Sequence, residues 1–152
     1  MSTKTTKGWR WGNFPVPESH LVLIVLGVVL DVLWPIAVGT DSAWIKALGV
    51  ILICLGVGGI VWATSTVGGV DLSDPDRLIT TGPYELSRHP MYVAWTLIYL
   101  GVAMILDSAW LVLLAPVLSA WIHWETNREE KRMIQSFGPA YDSYRGRVRR
   151  YL

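Results

Sequence analysis

The chain predicts an all-α integral membrane protein with four transmembrane helices, and three observations lead there. Its 152 residues are 52% hydrophobic and only 16% charged, and the apolar residues are gathered in blocks rather than scattered. Four blocks, residues 20–38, 44–63, 91–106 and 109–124, approach the roughly 20 residues that a helix needs to cross the hydrocarbon core. The basic residues then segregate. Lys4, Lys7 and Arg10 precede the first block, Arg77 and Arg88 lie between the second and third, and Arg128, Lys131, Arg132, Arg145, Arg147, Arg149 and Arg150 follow the fourth. An even number of spans puts all of these on one side and leaves Lys46 alone on the other. The positive-inside rule makes the crowded side cytoplasmic, so residues 1–152 read as one multi-pass domain with both ends in the cytoplasm.

Each element has its own local reason. The first block follows a polar leader with Trp9 and Trp11 and lacks a small-residue cleavage site, so it reads as a span and not a signal peptide. Asp31 within it either finds a partner or snorkels to the outer interface, because a carboxylate in mid-bilayer costs about 2.5 to 3.5 kcal/mol on insertion scales. Residues 39–42 make a tight link to the second block, which carries the sole cysteine, Cys54, as packing. Trp44, Trp110, Trp121 and Trp124 fall near span ends, as interfacial anchors do.

The loop 64–89 holds the turn signals Gly68-Gly69, Asp74-Pro75 and Gly82-Pro83 around a short extended piece, 78–81. Pro90 is suited to the first turn of the third helix, where its missing N–H costs nothing. Asp107-Ser108 joins the last two spans, and Pro116 is expected to break the fourth by freeing the carbonyl of Val112. Residues 124–136 continue that helix beyond the membrane. Phe137-Gly138-Pro139 ends it, and a short helix over 140–148 follows, with Tyr141, Tyr144 and Val148 on one face. Its basic residues also suit anionic lipid headgroups.

Polar chemistry belongs on the cytoplasmic side, since the opposite links are too short to hold a site. His89, beside Arg88 at the membrane entry, can serve as base, ligand or cap. No His, Cys or carboxylate stands near it at metal-ligand spacing, which excludes a metal site. His20 and His123 are isolated and read as interfacial. No nucleophile elbow, Walker loop or dinucleotide fingerprint is present, and nothing points to nucleic acid. Glu129 and Glu130 lie about 100° apart around a helix. One can face a cavity while the other pairs with basic neighbours, although a mixed Glu/Arg stretch is also what a solvated helix face looks like.

Together these segments resemble a family. Residues 78–84 (Leu-Ile-Thr-Thr-Gly-Pro-Tyr) and 88–92 (Arg-His-Pro-Met-Tyr), followed by Glu129-Glu130, Met133, Phe137-Gly138, Tyr141, Tyr144 and Val148, are similar to the signature of the isoprenylcysteine carboxyl methyltransferase and phospholipid methyltransferase superfamily. The likeness covers residues 77–150. It implies a membrane enzyme that uses S-adenosylmethionine, with the cytoplasmic loop and C-terminal helices forming the cofactor site. Leu78, Ile79, Tyr84, His89, Pro90, Met91, Tyr92 and Glu129 would bind the cofactor, and Arg128 and Glu130 would act on the acceptor.

Two departures bear on that acceptor. The family commonly carries an arginine one turn before the glutamates, where this chain has Glu125, and the proline usual after Val148 is replaced by Arg149. Either Arg128 takes the arginine's role or the acceptor is not a carboxylate. The acceptor is expected to be a lipophilic small molecule or a lipid dissolved in the membrane, a prenylcysteine-type carboxylate or a lipid amine. The alternatives are an NADPH-dependent membrane sterol or enone reductase, which resembles the same half of the chain, and a lipid-binding membrane protein without activity.

Overall fold

Proline and glycine decide where the helices start and stop. The computed structural model describes residues 17–68 and 77–152. Lys4, Lys7, Arg10, Trp9, Trp11, Gly69 and the Asp74-Pro75 turn lie outside the described residues. Among the described residues the chain is all-α: α1 Glu18–Leu33, α2 Ala43–Val67, a 3-10 turn Gly82–Glu85, α3 Pro90–Leu106, α4 Ala109–Phe137 and α5 Pro139–Arg145. α3 begins at Pro90 with His89 as its N-cap residue. Gly138, at φ 48°, separates α4 from α5, a conformation that costs glycine little.

Several boundaries differ from the sequence expectation, among them the end of α2, which runs to Val67 rather than 63. α1 stops at Leu33, short of residue 38, because Trp34 precedes Pro35 and is held at φ −140°, ψ 82°, outside the helical region. Asp31 therefore sits in the last turn of α1. The connection to α2 is longer than 39–42 and runs extended against the α3–α4 junction. There the Val38 N–H donates to the Asp107 carbonyl at 2.9 Å, and the Ala109 N–H to that of Ile36 at 2.8 Å. The Asp107 carboxylate accepts from the Gly39 N–H, the Thr40 N–H and the Thr40 hydroxyl at 3.1, 3.0 and 2.8 Å.

α4, in turn, passes through Pro116 unbroken for 29 residues. A proline removes one hydrogen bond and leaves its neighbours, and the buried Tyr99 hydroxyl holds this stretch to α3 by donating to the Leu111 carbonyl at 2.6 Å. α5 ends at Arg145 rather than 148, with Gly146 following.

Small residues bring α2 and α3 into antiparallel contact. A Cβ on Gly101 would lie 2.5 Å from the Gly49 carbonyl oxygen, and one on Gly56 would lie 2.6 Å from that of Ala94. These pairs are one heptad apart on each helix, so the missing side chains let the two backbones approach along one face. α1 runs antiparallel to α4, with Gly27 beneath the Leu111 side chain. Leu23, Tyr99, Leu111, Leu118 and Ile122 fill the core between α1, α3 and α4. His20, expected at an interface, is fully buried there and shares a 3.0 Å hydrogen bond with the Thr96 hydroxyl.

The outward faces of α1, α2 and α4 carry exposed Val, Leu, Ile and Trp side chains. Among the described residues, α2 is the helix long and apolar enough to cross a membrane, and α3 is apolar but shorter. The glycine contacts generate a direct test. Gly56→Leu should lower the unfolding temperature in detergent by several degrees, since overpacking costs typically 1–3 kcal/mol. Gly58→Leu, at a position with nothing within 4 Å, should leave it nearly unchanged.

Candidate functional site

The N-terminal end of α1, the 77–92 segment and the C-terminal half of α4 meet at one end of the bundle and enclose a cavity of about 450 Å³. Helical periodicity sorts the α4 side chains. Glu125, Glu129, Arg132, Met133 and Ser136 line the cavity, following the i, i+4, i+7 rhythm of one face. Thr126 and Glu130 turn to the buried side.

All eight residues expected to bind a cofactor, Leu78, Ile79, Tyr84, His89, Pro90, Met91, Tyr92 and Glu129, are in the lining, with Phe137, Tyr141 and Tyr144 beside them. The two expected to act on the acceptor are not in it. Arg128 is exposed and lays its guanidinium over the Trp124 ring, 4.6 Å from the centroid. Glu130 lies behind the wall.

His89 stands between the two glutamates. Its Nδ1 is 3.4 Å from a Glu129 carboxylate oxygen and its Nε2 is 3.3 Å from one of Glu130. Burial disfavours the charged imidazole, but hydrogen bonds and charges from both glutamates outweigh it and raise the His89 pKa above the ordinary 6.5. Glu129 is steadied from its other oxygen by the Tyr92 hydroxyl at 2.8 Å, and its side chain stays 34% exposed.

Glu130 is only 6% exposed and is gripped by cations. Arg150 forks onto it, with Nε donating at 3.0 Å and Nη2 at 2.6 Å. Arg88 Nη1 lies 3.0 Å away, in charge contact rather than an aligned hydrogen bond. Burial opposes ionisation of Glu130, but the bonds from His89 and Arg150 and the two guanidinium charges hold its pKa down at about 2. Glu125 differs. Burial pushes its carboxyl up despite a 2.8 Å hydrogen bond from the Ser19 hydroxyl.

Arg150 and the Ser19–Glu125 pair are what sequence reasoning missed. Arg150 is one of four arginines between 145 and 150, and nothing local marks it as the buried partner. Glu125 does carry a signal, since it lies four residues before Glu129 and hence on the same helix face.

A family model described as phospholipid methyltransferase matches residues 44–140. The chain is 30% identical over 112 residues to the cobalt-zinc-cadmium resistance protein CzcN of Cupriavidus metallidurans, covering 71% of this chain and 50% of that one. It is 29% identical over 127 residues to mouse protein-S-isoprenylcysteine O-methyltransferase, covering 78% of this chain and 44% of the relative. With a methanethiol S-methyltransferase from a Pseudomonas species the identity is 28% over 171 residues, covering 97% of this chain and 65% of the relative. The chain thus spans about half the length of the curated relatives it matches.

The ionic cluster predicts a bounded stability profile. His89, with its raised pKa, contributes stability that is fully present below 6.5 and lost as pH rises through its folded value. Glu130 contributes stability that is present above 4.5 and lost as pH falls toward about 2. The unfolding temperature in detergent should therefore be highest between these limits, and His89→Gln should flatten the alkaline decline. Glu130→Gln should cost about 2–4 kcal/mol, discounted from a fully buried pair because Arg150 is partly exposed. Thermal unfolding followed by tryptophan fluorescence across pH measures all three.

Proposed function

The chain belongs to the phospholipid methyltransferase family, and from that premise we propose that it is an S-adenosylmethionine-dependent methyltransferase acting on a hydrophobic acceptor dissolved in the membrane. The observation that carries the reading is the convergence of two stretches some forty positions apart on one cavity, with His89 in contact with Glu129. The volume suits a nucleoside-sized ligand. Tyr84, Tyr141, Tyr144 and Phe137 offer aromatic surface for an adenine, Glu129 offers negative charge for a sulfonium or ammonium, and Arg77 and Arg132 offer positive charge for a carboxylate. When bound, S-adenosylmethionine supplies a methyl group on an electrophilic sulfonium.

The protein's part is alignment and exclusion of water. Tyr92 and His89 fix the Glu129 carboxylate from both oxygens. Glu130, pinned by its cations, positions His89 and is not free to take a proton. Glu125, in the cavity wall with a carboxyl raised by burial, is the group able to accept one from an amine acceptor. Arg128 stays outside this assignment, because its guanidinium is spent on Trp124.

We read α1, α2, α3 and the first part of α4 as four spans, with both ends and the cavity cytoplasmic. The exposed apolar faces support this, as does the gathering of arginines at the cavity end, with Lys46, paired to Asp41 at 2.6 Å, at the other. An apolar acceptor then enters from the bilayer while the water-soluble cofactor enters from the cytoplasm.

Two measurements test the reading. S-adenosylhomocysteine should raise the unfolding temperature of the purified protein while NADPH does not, and Glu129→Gln should weaken its binding roughly tenfold or more. A stabilising shift with NADPH alone points to the reductase instead. Affinity for S-adenosylmethionine should also climb as pH rises through the His89 pKa, because the ligand's cation and the imidazolium compete for Glu129. Calorimetric titration at several pH values measures that slope.

A further inference from the structure

Residues 149–151 leave α5 and lie along the 87–89 loop. The Arg88 N–H donates to the Arg149 carbonyl at 2.9 Å. The Ser87 hydroxyl donates to the Arg150 carbonyl at 3.1 Å and accepts from the His89 N–H at 3.1 Å. The Arg150 side chain forks onto Glu130. Tyr151 places its ring 6.4 Å from that of His89 and shares a 3.0 Å hydroxyl contact with Thr126 on α4. Three consecutive residues thus tie the loop to α4, holding the loop by backbone and ring and α4 by side chain, while the cavity lies on the other side of His89.

We propose that residues 149–151 are a strap that positions the cofactor site from behind, with Arg150 as its positioning residue. Arg150 reaches no cavity atom itself and acts through Glu130, which in turn holds His89 against Glu129. A buried carboxylate with a fork of two donors has one orientation, and the imidazole that leans on it inherits that orientation. Around His89 the charged and titratable groups are Glu129 and Glu130 from α4, Arg88 beside it, Tyr92 on α3, and Arg150 and Tyr151 on the strap. Of these, Arg150 competes with the imidazolium for Glu130. Its removal should strengthen the His89–Glu130 pairing while leaving the Glu130 carboxylate free to turn. The cofactor consequence rests on the methyltransferase reading, and the imidazole consequence does not.

The experiment separates the two. The chain has three histidines, so an isotope-labelled imidazole titration by NMR in detergent, with His89 assigned through His89→Gln, reads its pKa directly. In Arg150→Met that titration should move to higher pH, and affinity for S-adenosylhomocysteine should fall about tenfold, the scale of one lost charge-assisted contact. Arg150→Lys, which keeps a cation but cannot fork, should shift both in the same direction by less and carries the test should the methionine variant fail to fold.

An unmoved His89 titration together with wild-type affinity in a folded variant overturns the strap. If the unaltered protein binds no S-adenosylhomocysteine but the titration still moves, the strap stands and the methyltransferase reading falls.

Discussion

Glu130 is a carboxylate that the fold has taken almost entirely out of water, and the cavity end is arranged around satisfying it. Desolvating a carboxylate costs several kcal/mol even after relaxation, and leaving it unpaired costs more than most single contacts return. Its partners come from separate parts of the chain, Arg88 and His89 from the loop before α3 and Arg150 from the segment after α5. Pairing that one group therefore fixes where both segments lie against α4. The same pairing brings the 77–92 segment close enough to α4 to leave a walled cavity between them. Tyr144 reinforces the arrangement, because its hydroxyl donates to the Tyr84 carbonyl at 2.7 Å and ties α5 to the same loop.

The opposite end of the bundle is closed by a different device with the same logic. Asp107 sits in the left-handed region at φ 50°, a strained position for a non-glycine residue that needs local compensation. That compensation comes from three donors, Gly39 N–H, Thr40 N–H and Thr40 hydroxyl, of which the Thr40 hydroxyl does most to hold the carboxyl below its usual range. Between the two polar ends α2 and α3 meet through backbone-close contacts, as in the Gly49–Gly101 and Gly56–Ala94 approaches. A membrane protein must satisfy its polar groups internally or where water reaches them, and here Glu130 and Asp107 are answered at opposite ends of the bundle.

How much of this was legible in the sequence follows from how local each cause is. Pro90 opening α3 and Gly138 closing α4 depend on one residue's own φ and N–H, so composition alone reveals them. The divergence of Glu129 and Glu130 follows from helix periodicity and needed no tertiary knowledge. The end of α1 was readable from Pro35 but was masked by the apolar run continuing to Val38. The extended course of 36–40 depends on Asp107, some seventy positions away. Pro116 shows the converse, since a local helix-breaker was overruled by the hydrogen bonds around it and by packing against Tyr99. Arg150 was hidden for a different reason. In a run of basic residues the one that turns inward is selected by the position of Glu130, which only the folded chain supplies.

The charge balance explains why adjacent glutamates have divided roles. Around His89, in its protonated form, three cations face two carboxylates, so the cluster taken alone carries excess positive charge and would repel a sulfonium. Exposure resolves this. The cations crowd on the buried carboxylate of Glu130, at 6% exposed, and the half-open Glu129, at 34%, looks into the cavity. Glu18 and Glu125 stand in the same wall. A cationic ligand in the cavity would therefore meet the carboxylates of Glu18, Glu125 and Glu129 beside the guanidinium groups of Arg77, Arg88 and Arg132, of which Arg88 is already turned to Glu130. The step of one residue around a helix is what keeps the buried, paired carboxylate and the half-open one apart.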